Sequence, residues 1–380
     1  MFVLYFEWGE LGMAKQITGL SIFSGAGGMD VGFKNAGVNI VWSNEMDKNA
    51  CNTYEANHPE TLLRRGDIQE NLQELYDYQG KIDVVFGGPP CQGFSVAGKM
   101  DPNDERSKLI WTYLEVIEIV QPKAFVLENV SALAKLEKWK DVRENFINKA
   151  NELGYQCHPF VLNSADFGIS QKRERVFFVG IRNDDFNPER FILSLESKKC
   201  KPKTIREIIS HLGPAGSPNN PMTCTAKVTL ALNPIMRKSP YAGMIFNGMG
   251  RPLNLEDISN TLPASMGGNK TPIVDEALLH QNAEDSWVEN YHKALLEKTI
   301  TSEYKEAPSR LRRLTIKEAA LIQTFPEDYL FCGSKTAIYK QIGNAVPCKL
   351  SEVVASTLIE ELRNITIPVH EQHQLSLLAM

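Results

Sequence analysis

Apolar positions along the chain fall into short runs, and stretches of helical period lie between them. Residues 16–23 (QITGLSIF), 39–43 (NIVWS), 82–86 (IDVVF), 124–127 (AFVL), 158–162 and 176–181 (VFFVGI) have the length and character of strands in an enclosed sheet. Helical periodicity marks residues 48–56, 107–120 and 139–153; the second stretch stops at Pro122 and the third at Gly154, a residue suited to the position after a helix. A glycine-rich turn, Ser24 to Gly28 (SGAGG), joins the first strand to a helix beginning near Met29. Strands alternating with helices over residues 17–181 predict an α/β domain built on a doubly wound, Rossmann-like sheet.

The pattern then changes. From residue 202 to 272 proline and glycine recur with little period of either kind, as in an irregular insert. Residues 284–306 predict a helix of mixed charge. Residues 310–323 (RLRRLTIKEAALIQ) start basic and run into a helix with Thr315 as N-cap and Glu318 at its third position, a capping box. Residues 339–347 (YKQIGNAVP) lead into a last amphipathic helix over 350–363.

Composition narrows this picture. A chain of 380 residues, 43% hydrophobic and 23% charged, has the make-up of an ordinary globular protein and the length of two domains. Seven cysteines at scattered spacings, with no CxxC pair, argue against a disulfide framework or a zinc site and suit a cytoplasmic location. No apolar run approaches the roughly 20 residues that span a bilayer, so no membrane role is expected. Met13 offers a second translation start, which would make residues 1–12 an appendage. The net charge of −5 gives no global sign of nucleic acid. Locally the balance reverses: residues 197–240 hold eight Lys or Arg against the single acid Glu207. Such a run is either a solvated irregular face or a polyanion-binding surface.

Candidate chemistry gathers at the ends of the predicted strands. The glycine loop makes a nucleotide-type ligand site, and Glu45 follows Gly25 by about 20 residues, where an acid grips ribose hydroxyls. Asp30 stands in place of the third glycine of a dinucleotide fingerprint, and a carboxylate there would repel a pyrophosphate. A ligand without phosphates is expected. After residues 82–86 comes GGPPCQGFS, whose glycines and prolines make a stiff loop ending in Cys91. A cysteine in a turn is more often packing than chemistry, but this one is delivered to the end of a sheet strand, where open α/β folds place their sites.

In order along the chain, FSGAGG (23–28), SNEMDK (43–48), GDI (66–68), GGPPCQGFS (87–95), ENV (128–130), NSADFGISQKRERVFFVG (163–180), RRLTIKEAALIQTFPED (312–328) and YKQIGNAVP (339–347) resemble the DNA (cytosine-5)-methyltransferases. The resemblance spans about residues 20–355. It implies the S-adenosylmethionine-dependent methyltransferase fold with a smaller, irregular, mostly β target-recognition domain. It also implies transfer of a methyl group from S-adenosyl-L-methionine to C5 of a cytosine in double-stranded DNA, leaving S-adenosyl-L-homocysteine, with no metal. The implied organisation is a catalytic and cofactor-binding domain over 13–190, target recognition over 191–310, a hinge over 311–343, and a C-terminal helix and tail over 344–380. A monomer of prokaryotic or phage restriction–modification type, paired with a restriction endonuclease, is expected.

Roles follow by resemblance, position by position. Cys91 looks like the nucleophile that adds to C6, Glu128 the carboxyl at N3 and the exocyclic amine, Arg175 the contact to O2, and Arg173 a support for that catalytic set. Cofactor contacts fall on Phe23 over the adenine, Gly25 and Gly27 at the amino acid part, Glu45 at the ribose hydroxyls with Met46 beside it where an aromatic would stack on the adenine, and Asp67 and Ile68 at the adenine. Pro89, Asn344 and Ala345 complete the set. DNA contacts fall on Gln92, Ser95, Lys99, Arg237, Arg251 and Thr261, with base-edge readers sought in loops 247–251 and 266–270. Three positions depart from the family pattern: Met46 replaces a frequent aromatic, and Leu321 and Thr324 replace the usual Arg and Gly. A nicotinamide-dependent oxidoreductase would leave Cys91, ENV and QKRER without a role. Cytosine methylation of tRNA on the same scaffold is the nearer alternative, opposed by the long recognition region. A catalytically dead DNA-binding module is opposed by the intact Cys91 and Glu128.

Overall fold

The computed structural model describes residues 16–90, 109–182, 186–281 and 283–366. Seven strands form one sheet: β1 (Ile17–Ile22), β2 (Val38–Glu45), β3 (Leu62–Arg65), β4 (Val84–Gly87), β5 (Ala124–Val130), β6 (Tyr155–Asn163) and β8 (Glu174–Arg182), with the short β7 (Gln171–Lys172) outside it. Their order is β3-β2-β1-β4-β5-β8-β6. The first five are parallel and β8 runs antiparallel to both β5 and β6. Strand order reverses between β1 and β4, so their carboxyl ends open a crevice there. The helices of this part are α1 (Gly28–Asn35), α2 (Lys48–Asn57), α3 (Ile68–Leu75), α4 (Leu109–Val120), α5 (Ser131–Lys135), α6 (Lys140–Glu152) and α7 (Pro188–Ser197).

Alternation along the strands sorts side chains into two cores. Val84 and Phe86 of β4, with Ala124 and Val126 of β5, face Met29 and Phe33 of α1. Val85, Phe125 and Leu127 face Ile110 and Ile117 of α4 and Phe146 of α6. The first core is closed by the last helix, α13 (Cys348–Thr366), whose Leu350, Val354 and Leu358 pack into it. Close approach is enforced at Gly32, where a Cβ would stand 2.4 Å from the Cys348 carbonyl oxygen.

Between these lie α8 (Ile205–Ile209), β9 (Leu230–Ile235), β10 (Met244–Phe246), β11 (Ser259–Asn260), β12 (Ile273–Asp275), α9 (Glu276–His280), α10 (Trp287–Leu296), β13 (Leu311–Arg313), α11 (Ile316–Ile322) and α12 (Lys335–Asn344). The strands here pair only in twos, β9 with β10, β12 with β13, and β11 with β7. Thr315 and Glu318 form the expected capping box. The helix expected over 284–306 is confined to α10, and the chain beyond it pairs with Thr229 and Leu230 instead. Residues 1–12, and the tail beyond 366, lie outside the described residues.

Candidate active site

Four parallel strands, β1, β2, β4 and β5, bring their carboxyl ends together beside the start of the antiparallel β8. β1 ends in Ile22, and Phe23 then takes φ 55°, a left-handed conformation unusual for a bulky residue. Gly25 and Gly27 follow at φ 57° and 82°. A Cβ on Gly25 would meet nothing within 4 Å, so the loop opens on free space there. β2 ends in Glu45, whose carboxylate accepts from the amides of Gly25 (2.8 Å), Met46 (2.9 Å) and Asp47 (2.7 Å). Burial raises its pKa, against those same amides. Glu45 thus ties the second strand to the glycine loop. Met46 is exposed. Asp67 caps α3 through the Gln69 amide (3.0 Å) and is itself exposed, whereas the Ile68 side chain is buried beside Trp42.

Asp30 does not face this loop as expected. It is fully buried and accepts a hydrogen bond from the Tyr54 hydroxyl (2.8 Å). Desolvation raises its pKa to about 6. The first turn of α1 points it into the core, so it exerts no direct repulsion on a ligand of the loop.

β4 ends in Gly87, and Gly88, Pro89 and Pro90 carry the chain toward Cys91, which lies outside the described residues together with Gln92, Ser95 and Lys99. Two contacts require the glycines. A Cβ on Gly87 would sit 1.9 Å from the Ile22 carbonyl oxygen, and one on Gly88 would sit 2.7 Å from Glu128 Oε2. The loop therefore runs directly against the Glu128 carboxyl at the end of β5. Glu128 is 9% exposed and pairs with Arg175 Nε at 2.8 Å from Oε1, across the β5–β8 ladder. Burial pushes its pKa up, opposed by Arg175 and Arg173. Asn129, unassigned in the sequence reading, donates to the Pro89 carbonyl (3.3 Å) and so ties the loop to β5.

Arg173 is buried and spans three segments, donating to the carbonyls of Leu262 (3.2 Å), Gly343 (2.9 Å) and Asn344 (3.4 Å). It holds the site's frame; Arg175 is the guanidinium at the carboxyl. A second bridge beside it was missed: Gln171 donates to Gln323 (2.5 Å), and Gln323 donates to the carbonyls of Ile342 (2.9 Å) and Ala345 (2.6 Å). Both glutamines stand in motifs, QKRER and LIQTF, that could have flagged them. Ala345 lies against Gly28, where a Cβ would come within 3.0 Å of the Ala345 Cβ. Asn344 is exposed at the end of α12.

The residues expected to touch DNA are placed less tightly. Thr261 donates to the Lys172 carbonyl (2.7 Å), beside the β7–β11 pair. Arg237 and Arg251 are exposed, and their carbonyls accept from His292 (2.8 Å) and the Ile273 amide (2.9 Å). Much of the basic run is already paired: Lys198 with Glu360, Lys199 with Glu196, Arg206 with Glu256 and Lys227 with Glu306. Counting charge along the chain missed these partners because three of the four acids lie far away in sequence. Thr324, where the family carries glycine, stands at φ 63°, and its hydroxyl accepts from the Lys349 amide (3.0 Å).

The family model described as C-5 cytosine-specific DNA methylase matches residues 17–360. The chain belongs to that family. The methylase is 34% identical over 346 residues to the Type II methyltransferase M.FnuDI of Fusobacterium nucleatum, covering 90% of this chain and 94% of the relative. It is 31% identical over 353 residues to M1.HphI of Haemophilus parahaemolyticus, covering 90% and 87%. Among solved structures, Entamoeba histolytica methyltransferase EhMeth superposes with a TM-score of 0.64 at 16% identity, covering 92% of this chain and 99% of that one. A Spodoptera frugiperda DNMT2 mutant gives 0.59 at 20%, covering 91% and 99%. Those likenesses speak to the fold. The methylase methylates cytosine at C5 in DNA, and S-adenosyl-L-methionine use is general to its family. No group of metal-ligating side chains occurs among the described residues, and no described helix is long and apolar enough to cross a membrane.

Proposed function

We propose that this methylase modifies one cytosine within a specific double-stranded DNA sequence, with the base rotated out of the duplex and Cys91 bonded to its C6. The observation that carries this reading is the approach of Gly88, three residues before Cys91, to a buried Glu128 carboxyl already paired to Arg175. A cytosine in the stack cannot reach such a crevice, and flipping costs a few kcal/mol that DNA contacts must repay. The Cys91 thiolate forms a bond to C6, and the ring's electrons shift toward N3, where Glu128 donates its proton; C5 becomes nucleophilic. The raised pKa of Glu128 suits a proton donor. Arg175 contacts O2. C5 takes the methyl group and would release S-adenosyl-L-homocysteine; a base from solvent then removes the C5 proton as the C6–sulfur bond breaks, the thiolate returns, and the N3 proton goes back to Glu128.

S-adenosyl-L-methionine supplies a methyl group on a cationic sulfur. The residues present fit it: the glycine loop opens on free space, and the carboxylates of Glu45 and Asp67 suit hydroxyls and a cation, while Asp47 is paired to Lys340. Glu45 would hold the ribose, Asp67 and Ile68 the adenine with Phe23, and Asn344 and Ala345 the methionine end. Residues 13–190 would perform the chemistry and 191–310 read the sequence, joined through 311–343. The Type II names of the relatives support a role in protecting DNA from a partner endonuclease.

The test is bisulfite sequencing of a plasmid carrying the expressed gene, with trapping on 5-fluorocytosine DNA. One sequence context should be methylated, and a denaturation-stable adduct should form with the parent and not with Cys91→Ala. An alanine variant that methylates near the parent rate overturns the nucleophile; methylation of tRNA and not DNA overturns the substrate.

A further inference from the structure

While Gly25 opens on free space, Gly27 presses on two side chains: a Cβ there would lie 2.5 Å from His58 Nε2 and 2.7 Å from the Tyr329 hydroxyl. The Tyr329 hydroxyl donates to the Ala26 carbonyl, inside the glycine loop, and lies 3.1 Å from His58 Nε2. A phenol has one hydrogen. Given to Ala26, it leaves the oxygen to accept from His58, so His58 must be the neutral tautomer with its proton on Nε2. His58 Nδ1 is then a bare acceptor, and it is indeed buried with no partner. A second proton at Nδ1 would have nothing to donate to, and burial accordingly lowers the pKa of His58 to about 4. The pair is built to hold one arrangement.

Tyr329 belongs to the segment between α11 and α12, and that segment is clipped to α2. Asn57 donates to the Leu330 carbonyl (2.8 Å) and accepts from its amide (2.9 Å), and the Cys332 amide donates to Thr53 Oγ1 (2.8 Å). Phe325, Tyr329 and Phe331 pack on one another at 4.8–5.2 Å, and Phe325 also lies 3.5 Å from where a Gly28 Cβ would be. The loop they support carries one strained residue, Phe23, left-handed ahead of two glycines that adopt the same region without steric cost.

We infer that Tyr329 and His58 are positioning residues for the methyl donor: they grip the Ala26 carbonyl, keep the glycine loop in its left-handed turn, and make cofactor affinity depend on the docking of residues 325–332 onto α2. The inference rests on the glycine loop being the cofactor site.

Calorimetric binding of S-adenosyl-L-homocysteine to the full-length protein tests it, alongside DNA affinity without cofactor. Tyr329→Phe should weaken binding about five- to tenfold, the scale of one hydrogen bond, and raise KM for the methyl donor while kcat holds. His58→Gln keeps an N–H donor at the Nε2 position and should bind within about twofold of the parent. His58→Asn, whose amide reaches only the Nδ1 position, should weaken binding as Tyr329→Phe does. DNA affinity should not move. Parent-like binding by Tyr329→Phe, equal behaviour of the two His58 variants, or DNA affinity falling in step with cofactor affinity would each overturn the inference. If Glu45→Ala loses binding while Tyr329→Phe keeps it, the inference alone fails. A parent that binds no S-adenosyl-L-homocysteine removes the cofactor site itself.

Discussion

Glu128 and Asp30 are both carboxyls that burial drives toward the protonated form, and they differ in what faces them. Glu128 meets the Arg175 guanidinium, whereas Asp30 meets the neutral hydroxyls of Tyr54 and Ser21 in the core. Glu128→Gln keeps the size and loses the proton, so methyl transfer should fall by 10²–10⁴-fold while DNA binding stays within about threefold. Labelled methyl transfer and anisotropy on the same duplex separate the two. For Asp30 the observable is stability. Its folded pKa of about 6 lies above the ordinary 3.8, so between those values the folded protein binds more protons than the unfolded chain. Stability from this group therefore rises as pH falls through 6 and is lost again above it, with a full amplitude of roughly 3 kcal/mol. His58, lowered to about 4, slopes the other way, which is why the comparison must be the parent against Asp30→Asn. Denaturant unfolding from pH 4 to 8 should show Asp30→Asn gaining on the parent toward alkaline pH. At this scale the sequence revealed the groups that stand in motifs at strand ends, Glu45 and Glu128 among them. It hid Tyr329 and His58, whose contact joins positions 271 residues apart.

Elements were legible where their period was long and their ends chemically marked. α11 is the clearest case, with Thr315 and Glu318 in place. β3 was missed because it is an edge strand of mostly solvent-facing positions, LLRR, with no apolar alternation. α8 and α9 were missed because five residues carry too little period to register. The capping box of α11 has a second task that no local pattern discloses. Glu318 is fully buried and accepts from Arg312 (2.7 and 2.8 Å), from Asn220 (2.9 Å) and from the Thr315 amide (2.9 Å). Removing one partner of a buried pair costs about 3–5 kcal/mol, whereas replacing both by apolar groups is often close to neutral. Glu318→Ala should lose stability on that scale by chemical denaturation. Arg312→Met with Glu318→Leu should recover part of it, although Glu276 then loses its own contact to Arg312.

For the whole molecule, the proposed division of labour predicts that sequence preference is portable. Residues 197–308 from a relative of known specificity, grafted into this chain, should carry that specificity with them in bisulfite maps; an active graft that keeps the parental target would refute the division. The α/β architecture was open to a reading of alternation alone, and the family to its ordered motifs. The pairing of the basic run was not, because Glu360, Glu256 and Glu306 approach it only through the folded chain. One packing relation has a bearing on how the enzyme comes into being. Every described element except β1 lies between α1 and α13 in the chain, yet α13 presses Cys348 onto Gly32 and fills the core beside Phe33. A growing chain must therefore carry the open apolar face of α1 until α13 has been made, a contact of long range that is slow to form and exposed to aggregation until then. Methylation capacity should consequently appear in a cell only once α13 has been made and has docked, and chaperones that shield the open face until then should raise the yield of active enzyme.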